Sequence, residues 1–353
     1  MQQELLNLLR CPFAKSKLSI KVIATGTKAF GNELKTVITE AILFSDAGFV
    51  FPVINGIPRM LLEAIDDYAG FLQQHLHDYA LRRKNLEATH AGVLAYCKSK
   101  NQQTKKSFFV EWSFLQPTQK DKLWHEDIDA LQNRFLLEAG CKKEELAQKL
   151  AIDIGSGHGI TTNKIAGTTG FAVGIELSRA VEEAYNRNSN CNAHYLQGDL
   201  QFIPFENHSF DFLYSSGVLH HTNNTRNSLG IVEQLVKPYG RICIWLYHPQ
   251  NNRIHAAMLA LRKITTRLPF WITFVLLQLF VFPLSFVIKR MKRKVKPNYR
   301  EEMIDLLDMF TPKYRFETDH QTAEAWLGEL NYHSINITTT DQFGFSITGI
   351  KQQ

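Results

Sequence analysis

The sequence predicts an α/β fold with a Rossmann-like, doubly wound, mostly parallel sheet of seven strands. Between residues 151 and 247, five apolar strand-like segments alternate with segments of helical spacing, which is typical of parallel sheets. Three of these strands end in an acid, namely Asp153, Glu176 and Asp199. We expect these acids to meet at the carboxyl edge of the sheet, where open α/β folds bind ligands. A small N-terminal α+β domain and a hydrophobic helical insertion after the fifth strand complete the predicted fold.

The segment Ala151–Gly159, AIDIGSGHG, predicts a strand, a glycine-rich turn and a helix that begins near Ile160. Its glycines allow a tight turn and a close approach of the backbone to a ligand. The N–H groups at the start of the helix favour a negative group. Dinucleotides and S-adenosylmethionine could both use such a loop. The dinucleotide fingerprint requires a small residue where Ile160 stands, whereas Asp153 could receive hydrogen bonds around the aminoacyl end of S-adenosylmethionine.

The other two acids suit the rest of a nucleoside. Glu176 follows Gly155 by 21 residues, and a carboxylate at that position can accept both ribose hydroxyls. Asp199 ends the next strand and could contact the adenine amino group. Two more strands are predicted at Phe210–Ser216 and Gly240–Tyr247.

Residues 151–247 resemble a class I S-adenosylmethionine-dependent methyltransferase of the type 11, small-molecule kind. The resemblance rests on the D-x-G-x-G-x-G loop at 153–159, on Glu176, on Gly198-Asp199 and on the run SSGVLHH at 215–221. It implies S-adenosylmethionine as the cofactor and says little about the acceptor. The cofactor-binding residues assigned on this basis are Asp153, Gly155, Ser156, Gly157, Glu176, Leu177, Asp199, Leu200, Ser215 and Arg134.

Residues 107–139 precede the first strand of this domain. In the resembling methyltransferases, an aromatic segment and a helix at this place close over the cofactor, which would bring Trp112 and Arg134 towards it. Two alternatives stay open. Trp112 could pack in the core, and Arg134 could form a surface ion pair.

Methyl transfer is an in-line displacement, so the enzyme mainly holds donor and acceptor in line. An oxygen or nitrogen acceptor can also require a base. His220 and His221 follow the fourth strand and have a suitable unperturbed pKa, and we predict one of them as the base. Tyr247 and His248, at the end of the fifth strand, are the second candidates. Alternatively, a histidine of the Leu-His-His run positions the loop or the cofactor.

Residues 1–61 resemble the small zinc-ribbon-like domain of the methyltransferase activator family. The resemblance rests on Cys11-Pro12 and on FPVINGIP at 51–58, whereas Ala14 stands where the family has its second cysteine. A closed zinc site needs about four ligands, so we predict no structural zinc and no metal. The chain has five scattered cysteines, which favours a reduced, cytoplasmic setting.

Residues 62–106 are predicted to be a helical connector, with the polar stretch at 100–106 as a linker before the methyltransferase domain at 107–353. That domain contains an insertion at 248–300. Within it, Leu268–Ile288 is a run of 21 residues without a charge, which as a helix would be roughly 31 Å long and could cross a bilayer core. Seven basic residues follow it.

A single crossing would separate the last strands from the first five, so we do not expect the run to span. Pro269 and Pro283 predict two shorter helices instead. Two alternatives are then open for the insertion. It is either a helical lid on the catalytic domain or an element of the interface beside anionic lipid, which would place a cytoplasmic protein on the inner face of the membrane.

Three classes of function fit these features. The favoured class is an enzyme that methylates a small or lipid-linked acceptor, such as a sugar, a quinone-type or a polyketide intermediate. The second is a non-catalytic cofactor-binding scaffold at a membrane. The third is an RNA methyltransferase, but the basic residues follow an apolar run and do not form a broad basic face, so no nucleic-acid partner is expected. The sequence does not predict the oligomeric state.

Overall fold

The computed structural model describes residues 1–114, 130–292 and 299–353, and within these it contains a four-stranded and a seven-stranded sheet. The strands of the smaller sheet are β1 (Ser19–Phe30), β2 (Glu33–Phe44), β3 (Val50–Ile54) and β4 (Ile57–Pro58). Those of the larger sheet are β5 (Leu150–Ile154), β6 (Phe171–Glu176), β7 (Ala193–Gln197), β8 (Phe210–Ser216), β9 (Val236–Tyr247), β10 (Tyr332–Thr340) and β11 (Gly344–Lys351).

The helices lie before, between and after these strands. Those preceding the larger sheet are α1 (Gln3–Leu8), α2 (Ala64–Asp67), α3 (Ala69–His75), α4 (Tyr79–Phe114), α5 (Ala130–Ala139) and α6 (Lys143–Leu146). Those within its chain order are α7 (Ile160–Thr169), α8 (Val181–Arg187), α9 (Thr225–Val232), α10 (Arg253–Thr265), α11 (Phe270–Leu276), α12 (Phe282–Lys292), α13 (Tyr299–Phe310) and α14 (His320–Glu329).

The larger sheet has the strand order β10-β11-β9-β8-β5-β6-β7. Its five strands from β5 to β9 pair in parallel, and β11 pairs antiparallel with both β9 and β10. The predicted Rossmann-like, mostly parallel seven-stranded sheet is therefore confirmed. The strand order reverses at β5, so the loops after β5 and β8 flank the crevice at the carboxyl edge.

Helices cover both faces of this sheet because successive strand residues point to opposite sides. On one face, Phe135 of α5, Ile165 of α7 and Val181 of α8 belong to one core with small residues of β5 and β6. On the other face, Leu229 of α9 and Leu327 of α14 belong to a core that continues into residues 1–61, the N-terminal unit. Both cores hold the central strands rigid beneath the loops that follow them.

The N-terminal unit covers the edge strand β7. Arg59 forms a parallel bridge with Gln197, and the N–H of Met60 donates to the oxygen of Gln197 at 2.7 Å. The side chain of Arg59 is buried, donates to Glu182 at 2.9 Å and lies 5.2 Å from the ring centre of Tyr68. An uncovered edge strand is a template for unwanted pairing with another chain. Because the N-terminal unit pairs with β7, this edge is covered.

Helix α4 continues through the segment that was predicted to be a linker. The stretch at 100–106 is helical, so the prediction of a linker is wrong. Its lysines and glutamines are good helix formers. Polar side chains of this stretch contact buried acids, so their polarity does not indicate a flexible chain. The long helix changes direction at His90, which has φ of −128°.

The insertion also differs from the prediction. A π-helical segment, Leu277–Val281, joins α11 to α12, so these residues form one continuous helical run and the prediction of two separate helices is wrong. Pro269 precedes the run and Pro283 follows the wide π turn, where the regular hydrogen-bond ladder is already interrupted. Within the described residues, Phe270–Val287 is the one helix long and apolar enough to cross a membrane by length and composition alone.

The buried arginine at the edge of the sheet gives a test of this architecture. Truncating a large, fully buried side chain leaves a cavity, so we expect Arg59→Ala to lower the free energy of unfolding by about 3 kcal/mol in urea titrations. Arg179 is the matched control because it also donates to Glu182 at 2.9 Å but is 62% exposed. Arg179→Ala should cost less than about 1 kcal/mol, and equal losses in the two variants would contradict the docking described here.

Candidate active site

The glycine-rich loop between β5 and α7 requires glycine at three positions. Gly155, Gly157 and Gly159 have φ of 77°, 51° and 79°, in the left-handed region that favours glycine. A Cβ on Gly155 would lie 2.3 Å from Val218, and one on Gly159 would lie 2.7 Å from the Cβ of Ala184. The loop is therefore held tightly between the residues after β8 and helix α8.

Glu176, at the end of β6, fastens this loop. Its carboxylate accepts the N–H of Gly157 at 3.1 Å and the N–H of Ser178 at 2.7 Å. Burial raises the pKa of Glu176, and these hydrogen bonds oppose the rise. Each carboxylate oxygen can accept a further hydrogen bond, so the group retains acceptor capacity for ligand hydroxyls while it shapes the loop.

Asp153 lies in β5 beneath the loop and is buried. It accepts the hydroxyl of Thr162, in the first turn of α7, at 2.5 Å. Burial raises the pKa of Asp153 to about 7, the Thr162 bond opposes the rise, and the charge of Glu176 adds to it. A cationic ligand group beside this carboxyl would favour its ionised form.

The smaller predicted residues surround the same loop. The hydroxyl of Ser156 is buried and has no hydrogen-bond partner among the described residues, so it can bond a ligand. The hydroxyl of Ser215, near the end of β8, donates to the oxygen of Ile154 at 3.2 Å. Leu177 and Leu200, which follow Glu176 and Asp199, are half-buried and give this edge apolar surface.

Asp199 already has protein partners. Its carboxylate accepts from Lys100 at 2.9 and 3.0 Å and from Asn101 at 3.1 Å, both in α4, and from the N–H of Gln201 at 2.9 Å. Asn101 also donates to the buried Glu63 at 2.9 Å. Helix α4 therefore lies across the crevice on the side where the sequence predicted the adenine group.

Sequence reasoning missed Lys100 and Asn101 because they were assigned to a linker. The signal that could have found them is their composition. The lysines and glutamines continue a helical pattern from the preceding segment, and two acids elsewhere in the chain, Glu63 and Asp199, need cationic or amide partners because they are buried.

Arg134, in α5, donates to Glu138 at 3.0 Å one turn further on. The other oxygen of Glu138 accepts the hydroxyl of the buried Tyr214 in β8. Arg134 thus forms an ion pair, but with a buried carboxylate and not at the surface, and its predicted contact with the cofactor stays a prediction. Trp112 lies in α4, but its side chain is outside the described residues.

His220 lies in a 3₁₀ turn after β8 and is fully buried. Neither ring nitrogen has a hydrogen-bond partner among the described residues. The ring centre is 4.1 Å from that of Tyr247 and 5.6 Å from that of Trp245. Burial lowers the pKa of His220 well below its usual value, and the nearby His221 and arginines lower it further. The ring is therefore neutral, with one nitrogen able to accept a proton.

His221 lies beside two oxygen atoms. Nδ1 is 3.0 Å from the oxygen of Tyr314, and Nε2 is 3.1 Å from Oδ1 of Asp308 in α13. Both ring nitrogens thus face oxygen atoms of the protein. Burial alone would raise the pKa of Asp308, but His221 and the hydrogen bond from Tyr247 lower it on balance.

Tyr247, at the end of β9, donates its hydroxyl to Asp308 and lies under the guanidinium of Arg315, whose Cζ is 3.9 Å from the ring centre. His248 instead approaches the oxygen of Asp341 at 3.2 Å. Sequence reasoning missed Asp308 and Arg315 because they follow the insertion, far from the histidines along the chain. Their proximity depends on how the insertion folds back over β8 and β9.

The structure thus has two adjoining parts, a nucleotide-type loop with acids at three strand ends and a buried histidine surrounded by aromatic rings. Residues 152–244 match a family model that is described as a methyltransferase domain, of type 11. Residues 152–244 therefore form a methyltransferase domain, and this part of the predicted resemblance is confirmed. The resemblance of residues 1–61 to the activator family stays a prediction.

Several known proteins are similar to parts of this chain. An uncharacterized methyltransferase of Mycobacterium tuberculosis is 26% identical over 127 residues, which cover 35% of this chain and 60% of that protein. A demethylmenaquinone methyltransferase of Tropheryma whipplei is 30% identical over 147 residues, which cover 40% of this chain and 60% of that protein. The match thus spans about 60% of the length of these two relatives. Among solved structures, magnesium protoporphyrin IX methyltransferase of Synechocystis is 11% identical, with a TM-score of 0.44 over 72% of this chain and 97% of that one.

The pKa of Asp153 predicts a pH-dependent stability. The value is about 7 in the folded protein against an ordinary value of 3.8, so the folded state binds the proton more tightly. The free energy of unfolding therefore falls as the pH rises between these two values. Asp153→Asn removes this titration, and we expect the variant to gain about 1 kcal/mol per pH unit relative to the wild type between about pH 4 and pH 7. Urea unfolding of both proteins across this range measures the gap, and a gap that does not change with pH would contradict the burial of the carboxyl.

Proposed function

We propose that this protein is an S-adenosylmethionine-dependent methyltransferase that acts on a small or lipid-linked acceptor. The observation that carries the proposal is the glycine loop fastened to Glu176 above the buried Asp153, within a domain that matches a methyltransferase family. The loop leaves no room for a Cβ at Gly155 or Gly159, and the buried hydroxyl of Ser156 still requires a partner. These features fit a nucleoside cofactor with a charged aminoacyl end.

The residues present can hold each part of such a cofactor. Asp153 would bind the aminoacyl end, because a cationic amino group favours the ionised carboxylate. Glu176 would accept the ribose hydroxyls, because its carboxylate oxygens can accept further hydrogen bonds besides those from the backbone N–H groups. Asp199 would meet the adenine amino group once Lys100 and Asn101 release it. The cofactor supplies a methyl group on a sulfonium, and the protein binds it and holds the acceptor in line.

His220 is the residue that we propose as the proton acceptor. Burial lowers its pKa, and both of its ring nitrogens lack a partner among the described residues, whereas those of His221 face the oxygens of Tyr314 and Asp308. In O-methylation, the acceptor hydroxyl would give its proton to His220 as the new O–CH₃ bond forms and the S–CH₃ bond breaks. His221, Tyr247 and Asp308 form a hydrogen-bonded group that fixes the turn carrying His220. Their proposed role is positioning.

The surroundings of His220 favour an acidic, ring-shaped acceptor. A histidine with a lowered pKa is a weak base, which suits a phenol or enol with a pKa of about 10 better than a sugar hydroxyl. Trp245, Tyr247 and Phe108 place aromatic rings around the two histidines. Two relatives are named as a demethylmenaquinone methyltransferase and an O-methyltransferase. We therefore propose a quinone-type or polyketide hydroxyl as the acceptor, ahead of a sugar.

A non-catalytic scaffold is the second candidate, and the contact of α4 with Asp199 favours it. Lys100 and Asn101 occupy the adenine side of the crevice. In a scaffold this contact would be permanent, whereas in an enzyme it opens when cofactor binds. Hydrogen exchange of α4 with and without S-adenosylmethionine, measured beside labelled methyl transfer, separates the two, because the enzyme should show both a change in protection around Lys100 and transfer, whereas the scaffold should show no transfer.

The two histidines predict a kinetic difference. In an assay of labelled methyl transfer to phenolic and quinol acceptors, we expect His220→Ala to lower kcat by about 10²–10⁴-fold, the usual contribution of a general base. His248→Ala is the control, since His248 bonds to Asp341 outside the histidine cluster, and its kcat should stay near that of the wild type. An unchanged kcat in a folded His220→Ala variant would exclude His220 as the base.

A further inference from the structure

The helical run α11–α12 leaves most of its surface bare. Of the apolar segment Phe270–Val287, 17% is buried. Trp271 is 64% exposed, Phe280 68% and Leu284 63%. Monomeric soluble proteins seldom expose apolar patches larger than a few hundred Å², so this face requires an occupant. The other large exposed apolar residues of the run are Ile272, Val275, Leu276, Leu279, Val287 and Met291.

The opposite face of the run is fixed to the protein. Phe274 and Leu277 join Met303, Leu307 and Phe310 of α13 in a separate hydrophobic core. The hydroxyl of Ser285 also donates to Glu302 of α13. The run is therefore held in one orientation, with one side packed on α13 and the other side directed outward.

Charge is strongly segregated into the same part of the chain. Residues 248–300 contain eleven lysines and arginines and no aspartate or glutamate. Since the whole chain has 40 basic and 34 acidic residues, the remainder holds 29 basic and 34 acidic ones and is net acidic. Four of these cations are exposed, namely Arg253 and Lys263 on α10, Arg267 in the turn after α10, and Arg290 on α12. Cations flanking an apolar face are the pattern of an interfacial helix on anionic lipid.

The sheet excludes a single crossing of the membrane. The N–H of Thr318, which follows the insertion, donates to the oxygen of Tyr247 at the end of β9 at 2.8 Å, so the chain returns to the point where it left the sheet. The insertion therefore begins and ends on one side of the membrane. A helix parallel to the surface satisfies this constraint, because only its outward face needs to enter the lipid.

We infer that the outward face of α11–α12 docks on an anionic membrane surface, with its apolar side chains in the interface and the flanking cations at the headgroups. Trp271 suits the headgroup level, where tryptophan is enriched. A second copy of the same chain is a poorer occupant, because a two-fold interface would bring two sets of these cations together. Nucleic acid would contact the cations but leave the apolar side chains exposed to water. The inference does not depend on methyl transfer.

Flotation of the full chain with vesicles tests this inference. We expect the protein to float with vesicles of mixed phosphatidylcholine and phosphatidylglycerol, less with pure phosphatidylcholine, and less at high salt. The double substitution Phe280→Glu with Leu284→Glu should reduce the floating fraction about tenfold. Leu34→Glu is the matched control, since Leu34 is 72% exposed on the distant β1–β2 hairpin, and it should float like the wild type. Thermal melts followed by circular dichroism establish that the variants are folded.

Several outcomes would overturn the inference. The inference is wrong if the wild-type protein floats with neither kind of vesicle. It is also wrong if the folded double variant floats as much as the wild type. Self-association in sedimentation velocity that the double variant abolishes, without flotation, would assign the face to a second copy. Binding of a transfer RNA that the double variant weakens, again without flotation, would assign it to nucleic acid.

Discussion

The hydrogen bonds from the N–H groups of Gly157 and Ser178 to the carboxylate of Glu176 are the contacts on which the site depends. They join the loop after β5 to the end of β6. With the loop fixed, α7 begins where Thr162 can bond Asp153, and Val218 is held against Gly155. Val218 directly precedes the turn that carries His220. The position of that turn thus depends on Gly155, the same glycine that lets the loop turn.

Two additions to the central domain contribute side chains to this site. The N-terminal unit covers the edge strand through Arg59 and leads into α4, which brings Lys100 to Asp199. The insertion leads into α13, which brings Asp308 to His221 and Tyr247. Each addition thus supplies a charged group to one end of the crevice. The proposed cofactor and acceptor sites are in this sense assembled by three parts of the chain.

Much of the fold could be predicted because it depends on local patterns. Alternating strands and helices predicted the parallel sheet, and the sheet then placed Asp153, Glu176 and Asp199 at one edge. Contacts between distant parts of the chain were not predictable in this way. The partners of Asp199 were hidden in a polar stretch that composition alone made a linker. The partner of His221 follows a long insertion, so no spacing connects the two. Pro283 was misleading because a π turn, which has no simple sequence signature, accommodates it.

The most direct test of the account is a calorimetric titration of S-adenosylmethionine into the purified protein, with Asp153→Ala beside it. The account predicts saturable binding of one cofactor per chain to the wild type and a loss of this binding in the folded variant. The absence of binding to folded wild-type protein would contradict it, as would equal affinity in the two proteins.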